Sequence, residues 1–216
     1  IRINLKQLFI LAQKKGWVSQ GFNPAELADS RKHISKGFHT WTEEELSKFE
    51  KCHGRGSQAR LALYLFMATG ASRIDGVQLG FKNIAEDGKI YLSRSKTKVG
   101  RGSTIPLFLA EELQRLPKDD PCFLMTEYGR PFSEKAFGNK FKKWTTKASI
   151  PQCTIHGLRK AIAVKLAASG ANKHEIAAWL AHDGTQTVDV YTKDVERDRL
   201  IEKAQKRLGW KPCNLK

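Results

Sequence analysis

The chain lacks any run of apolar residues approaching the roughly 20 needed to cross a bilayer as a helix, and its mean hydropathy is −0.47. It also lacks a basic amphipathic segment with Trp or Phe on the apolar face, which argues against membrane-surface binding. Cysteine is sparse: Cys52, Cys122, Cys153 and Cys213 are scattered and none forms a C-x-x-C pair. A zinc knuckle is therefore not expected, and reduced structural thiols in a cytoplasmic protein are. There is no internal repeat, no low-complexity tract and no carboxylate cluster suited to two metals. No signal-like region precedes Ile1, and the first residue is not Met, so the expectation is a fragment from which an N-terminal part is missing.

Acidic residues are also short. Against 38 Lys and Arg stand 22 Asp and Glu, a net charge of +16. A surplus of that size favours a polyanion partner, and nucleic acid is the polyanion such a footprint fits best. The 216 residues suffice for one substantial domain plus part of a second, and a hydrophobic share of 40% supplies a core.

Residues Asn4 to Lys15 read as an amphipathic helix with Leu5, Leu8, Phe9 and Ala12 on one stripe. Asn23-Pro24 turns into a short helix, and the polar, basic stretch from Ser30 to His39 reads as a linker. The boundary falls there, giving one unit over 1–39 and another over 40–216. Thr42 to Glu45 has the form of a capping box. A Leu- and Ala-rich helix runs from about Ser57 to Ala68 and ends at Thr69-Gly70. Between Lys89 and Leu107 the pattern changes to a β-hairpin: Ile90 and Leu92 mark one strand, Ile105 and Leu107 the other, with Gly100 and Gly102 in a long basic loop. Further helices are expected from Ser133 to Thr145, from a Thr154 cap to Gly170, from an Asn172–Glu175 cap to near His182, and from Asp194 to Leu208. Thr187 to Tyr191 is expected as a separate short element. The fold class is mainly α with a small antiparallel β-sheet.

The chemistry concentrates late in the chain. His156 and Arg159 stand three apart, which places them on one face in the first turn of a helix. Free amides and the helix dipole already favour an anion there, and a guanidinium offers a planar fork to two phosphate oxygens. An H-x-x-R pair alone occurs often as two surface residues. His182 follows a buried apolar run, and Tyr191 lies nine residues beyond it. A tyrosine becomes a covalent nucleophile when positioning and nearby positive charge assist its phenol. Singly, His182 reads equally as a helix C-terminal histidine and Tyr191 as a core tyrosine.

Together these residues resemble the tyrosine recombinase (phage integrase) family. His156-Gly157-Leu158-Arg159 is similar to its H-x-L-R box. Leu180-Ala181-His182 is similar to its L-G-H box with Ala181 in place of Gly, and the step to Tyr191 equals the family's step to its nucleophile. The resemblance covers about Thr42 to Leu208. Phe22-Asn23-Pro24-Ala25 fits the end of the family's helical core-binding domain, so residues 1–39 would be its C-terminal remnant and linker. The resemblance implies the DNA breaking-rejoining catalytic fold and a site-specific recombinase that cleaves and rejoins DNA through a 3′-phosphotyrosine on Tyr191. It implies Arg159 and His156 as charge-neutralising groups, His182 as a donor to a non-bridging oxygen, and Lys96, in Ser95-Lys96-Thr97, as the acid that protonates the leaving 5′ oxygen. Asp75 would orient a first arginine. No metal and no cofactor are implied, since cationic side chains stabilise the charge. The implied partners are double-stranded DNA and further copies of the chain, a tetramer on DNA. The implied setting is the cytoplasm, bacterial or phage-encoded, with integration or excision of a mobile element as the task. Arg94, Lys98, Arg101, Lys140, Lys142, Lys143 and Lys147 are candidate phosphate contacts.

One departure stands out. The family reads T-G-x-R with an acidic residue three after the arginine, whereas this chain reads Thr69-Gly70-Ala71-Ser72-Arg73-Ile74-Asp75. Counting from either end puts Ser72 at the arginine position and Arg73 one residue out of register. Three readings stand open: Arg73 substitutes through a local shift, the chain is a variant impaired in cleavage, or Ser72 is an engineered change. A catalytically degenerate DNA-binding relative and a type IB topoisomerase are the alternative functions. The last helix carries Leu200, Ile201, Ala204 and Leu208 on one stripe, which suits either a neighbouring protomer or the chain's own core.

Overall fold

The computed structural model describes residues 2–27, 37–95, 98, 100–182 and 184–208, with the side chains of several positions inside the last helix, Tyr191 among them, left outside the description. The chain divides into two compact units, Ile1–Gly37 and Phe38–Lys216. In the first, helix α1 (Arg2–Lys14) is followed by the four-residue α2 (Pro24–Leu27). The Asn23 side chain donates to the Lys6 carbonyl, Gln13 donates to the Phe22 carbonyl, and the Phe9 and Phe22 rings meet edge to face at 5.9 Å. The expected linker falls mostly on residues 28–36, outside the described residues.

The second unit is mainly helical. It comprises α3 (Glu43–Cys52), α4 (Gln58–Thr69), the short α5 (Arg73–Gly76), strands β1 (Lys89–Ser93) and β2 (Gly100–Thr104), and then α6 (Leu107–Leu113), α7 (Glu134–Lys147), α8 (Ile155–Ala168), α9 (Lys173–Trp179) and α10 (Gln186–Arg207). The helix caps form as local chemistry dictates. Thr42 accepts from the Glu45 amide while the Glu45 carboxylate accepts from the Thr42 amide, and Asn172 and Glu175 repeat the arrangement at α9. Ser57, Ser133 and Thr154 cap α4, α7 and α8, and Gly70 ends α4 in the left-handed region at φ 51°.

The strands pair antiparallel with Lys89 opposite Thr104 and Ser93 opposite Gly100. Here the structure corrects the sequence reading. Gly100 and Gly102 lie in β2 rather than in the loop, and Ile105, Pro106 and Leu107 lie beyond it. Pro106 has no amide for the ladder and instead precedes α6, which starts at Leu107. Gly102 sits opposite Tyr91, and a Cβ there would meet the Tyr91 ring at 3.0 Å. A second correction concerns α10, which is one helix of 22 residues, not a short element followed by another helix. Nothing between Thr187 and Leu208 breaks it: no Gly or Pro occurs there. Its stripe, which suited either a neighbouring protomer or the chain's own core, is exposed at Leu200, Ile201 and Leu208.

Two apolar clusters share α8. The larger gathers Trp41, Phe49, Leu63, Phe66, Phe123, Phe137 and Phe141 and takes Ile155 and Leu158 from the start of α8. The smaller joins Ala163 and Ala167 of α8 to Ile176, Ala177 and Leu180 and to Val188 of α10. No helix among the described residues is long and apolar enough to cross a membrane.

Glu45 is the polar anchor of the larger cluster's edge. It is buried, and its carboxylate takes hydrogen bonds from the Thr42 amide, His39 and Gln152. Burial pushes its pKa up, but these donors outweigh burial and hold it at about 2, against an ordinary 4.5. The folded-state value is the lower one, so the stabilisation is present above pH 4.5 and is lost as the pH falls towards 2. Glu45→Ala is expected to cost on the order of 2–3 kcal/mol in urea unfolding at neutral pH. It should also flatten the loss of stability in that acid window, which unfolding curves at stepped pH will measure.

Candidate active site

The site forms where the two clusters meet on α8. Arg159 lies at that seam, buried to 6% exposure. A buried guanidinium needs oxygen partners, and Arg159 donates to the Leu180 carbonyl at the end of α9. Its Nη2 also lies 3.2 Å from Nε2 of His182. The helix α9 stops at Trp179, and Ala181 turns in the left-handed region at φ 51°. That turn, where the family's box has glycine, delivers His182 to Arg159 just past the helix end.

His156 sits one turn before Arg159 in α8. The Phe38 ring packs against it with centroids 4.5 Å apart, and the Trp41 indole donates to the Thr154 carbonyl at 2.8 Å. The segment from Phe38 to Trp41 passes so close to the first turn of α8 that a Cβ on Gly157 would lie 2.0 Å from the His39 carbonyl oxygen. Glycine in the H-x-L-R box is therefore what lets this strap close over the site. Partial desolvation and then the positive charge of Arg159, Arg73 and Arg94 hold the His156 pKa below the usual histidine value, although the ring keeps an open edge.

Position 72 is occupied by a capping serine. Ser72 Oγ accepts from the Asp75 amide and donates to the Asp75 carboxylate at 2.5 Å. The other oxygen of Asp75 accepts from the Ser95 amide at 3.0 Å and from the Ser95 hydroxyl. Arg73 turns the other way. It makes an ion pair with Glu134 of α7 at 2.8 Å and lies over Gly138, where a Cβ would meet its Nη1 at 2.7 Å. Arg94, at the end of β1, reaches into the site: its Nη1 is 3.1 Å from Nδ1 of His182 and 3.2 Å from the Ala181 carbonyl.

Of the remaining candidates, Arg101 lies 5.2 Å from the centre of the Trp179 ring, with Nε and Nη2 shut from solvent without a hydrogen-bond partner. Burial lowers its pKa to about 10. Lys140 pairs with Glu127, Lys98 and Lys143 are exposed, and Lys96 lies outside the described residues. The backbone of Tyr191 is in α10, one turn after the buried Val188, on a helix that packs against α8; its side chain lies outside the description. The sequence reading missed Phe38, Ser95 and the place of Trp179. An aromatic at the start of the second unit and a hydroxyl beside Lys96 were their only signals. Among the described residues one trio with metal-ligand chemistry, His39, Glu45 and Cys153, has its ligand atoms within 4.8 Å, but the Glu45 carboxylate there is already held by protein donors.

The model of the family described as "Phage integrase family" matches residues 41–197. A tyrosine recombinase XerC 2 of Ralstonia nicotianae is 24% identical over 202 residues, which is 85% of this chain and 58% of that protein. The chain thus spans somewhat over half the length of the curated relative. A lambda integrase dimer bound to a COC′ core site superposes with a TM-score of 0.72 at 19% identity, covering 86% of this chain and 71% of that one. The Tn1549 transposon integrase in complex with circular intermediate DNA gives 0.69 at 16% identity over 92% of this chain and 76% of that one. These likenesses carry the fold.

Gly70 ties the site to the helices beneath it. Its left-handed φ disfavours any side chain, and a Cβ there would come within 2.2 Å of the Trp179 ring. Gly70→Ala is expected to destabilise by about 2–4 kcal/mol. Urea unfolding reads this directly, and a change below 1 kcal/mol would show that Trp179 does not fill the turn.

Proposed function

The chain belongs to the phage integrase family, and from that premise we propose that it is a site-specific DNA recombinase with Tyr191 as nucleophile. The observation that carries the reading is the convergence of Arg159 of α8 and His182 from the loop after α9, with His156 one turn before Arg159, beside α10.

In this reaction the Tyr191 phenol attacks the scissile phosphorus and gives up its proton to solvent. The bond to the 5′ oxygen breaks, a 3′-phosphotyrosine forms, and the 5′ oxygen receives a proton from Lys96. A 5′ hydroxyl of a partner strand then attacks the phosphotyrosine and rejoins the DNA, giving its proton to Lys96 while the released phenolate regains one from solvent. Each phosphodiester is exchanged for an ester of similar energy, so no nucleotide is consumed. Arg159 faces the phosphorane oxygens and His182 donates to one of them. Residues 1–39 are proposed as the end of a core-binding domain. DNA-bound copies of the chain are proposed to assemble as tetramers, as the lambda integrase tetramer bound to a Holliday junction does. The exposed Leu200, Ile201 and Leu208 of α10 suit contact with a neighbouring copy.

The second reading, a relative that binds DNA without cleaving it, is favoured by Ser72 alone. A pool of nicked duplexes with randomised cores separates the two. The recombinase reading expects a covalent protein–DNA adduct, recovered after denaturation, that Tyr191→Phe abolishes; binding with no adduct would establish the second reading. A relaxation assay on supercoiled plasmid distinguishes a topoisomerase. Non-covalent affinity should fall about 10³-fold or more between 50 and 200 mM salt if phosphate contacts dominate.

A further inference from the structure

We propose that Arg94, at the end of β1, supplies the guanidinium that position 72 lacks, and that it contacts the scissile phosphate opposite Arg159. The inference rests on the recombinase reading above and names a catalytic residue within that site.

Two closer candidates are committed elsewhere. The Ser72 hydroxyl is engaged by Asp75 as the cap of α5. Arg73 is one residue on, which on a helix swings a side chain by about 100°, and it is paired with Glu134 across α7. Arg94 differs from both. Among the described residues it has no carboxylate at ion-pair distance. Its Nη1 stands 3.1 Å from one ring nitrogen of His182, while Arg159 Nη2 stands 3.2 Å from the other. The two guanidiniums thus flank a single imidazole. A neutral imidazole accepts at one nitrogen and donates at the other, so it does not accept from both arginines at once. A non-bridging phosphate oxygen beside the ring is an acceptor that both forks can share, with His182 donating as well.

The backbone supports this placement. Asp75 grips the amide and hydroxyl of Ser95, the residue after Arg94. A carboxylate that the family resemblance assigns to orienting an arginine at position 72 is bound here to the segment that presents Arg94. Its positioning role is kept, and the guanidinium arrives from the hairpin instead of from α5. The charge of Arg94 also registers at His156, which places it within the field of the whole cluster.

The test is single-turnover adduct formation with a nicked duplex recovered from the pool, made both with an ordinary scissile phosphate and with a methylphosphonate there. Replacing one charged oxygen by methyl removes the charge that an arginine neutralises. Arg94→Ala is expected to slow adduct formation about 100- to 1000-fold on phosphate, with DNA affinity within about tenfold of the parent. On methylphosphonate the gap between parent and variant should shrink to less than tenfold. Arg94→Lys, which keeps the charge but not the fork, should lie between. The proposal is overturned if Arg94→Ala cleaves like the parent, if it is equally slow on both substrates, as a merely structural residue would be, or if Arg73→Ala gives the large, methylphosphonate-rescued loss instead. If the parent is silent and Ser72→Arg creates a Tyr191-dependent adduct, the recombinase reading stands and the Arg94 proposal falls. If neither forms an adduct, both fall.

Discussion

Asp75 is a carboxylate at 4% exposure held by two hydroxyls and an amide, from Ser72 on one side and Ser95 on the other. Leaving such a group unpaired in the interior costs several kcal/mol, so the segments that carry its donors are fixed together. One is the turn into α5 and the other is the end of the hairpin. That turn leaves α4 through Gly70, whose missing side chain is replaced by the Trp179 ring. Trp179 ends α9, and three residues later comes His182, in contact with Arg94 and Arg159. The contacts close a circuit from Asp75 through the hairpin to His182, through α9 to Trp179, and back through Gly70. Each functional side chain is thus placed by a neighbour that is itself placed, as preorganised stabilisation of a charged transition state requires.

Helix α8 gives that circuit a rigid base. Its first half is packed in the larger cluster and its second half in the smaller, and Arg159 emerges between them. A guanidinium at the junction of two apolar clusters sits in a lower dielectric than one on the surface, which strengthens its pull on a phosphate. The Leu180 carbonyl compensates the burial. Since α9 and α10 belong to the smaller cluster, Val188 of α10 brings the start of that helix, and with it the backbone of Tyr191, alongside α8.

What was legible in the sequence was whatever depends on neighbours a few residues apart. The caps at Thr42, Thr154 and Asn172 form between groups two or three residues apart, so residue type and spacing suffice to read them. The helical class with a small antiparallel sheet followed from the same periodicities. The strand β2 was misplaced because its glycines look like loop residues until Tyr91 is seen opposite Gly102. The continuity of α10 was missed because Thr187 to Tyr191 was read as a separate short element, although no Gly or Pro interrupts the run to Leu208. In the site, the order and spacing of His156, Arg159 and His182 were legible. The contact between Arg94 and His182 spans 88 positions and has no local signature, and Phe38 against His156 is equally remote in the chain.

A phosphate responds to where a guanidinium lies and not to which segment carries it. The family's usual solution places that group on the turn into α5 and orients it with the carboxylate three residues on. Here the same carboxylate has two partners, and only one of them, Ser72, lies at the position where the arginine is expected. A substitution that removed a guanidinium and left Asp75 without partners would strand a buried charge, yet Ser72 satisfies one oxygen and Ser95 the other. Proximity in sequence would nominate Arg73 as the replacement, but rotation about the helix sends it to Glu134. Arg94, just past β1, already stands 3.1 Å from Nδ1 of His182. Arg94 therefore needs no rearrangement to reach His182, whereas Arg73 would have to give up its ion pair with Glu134.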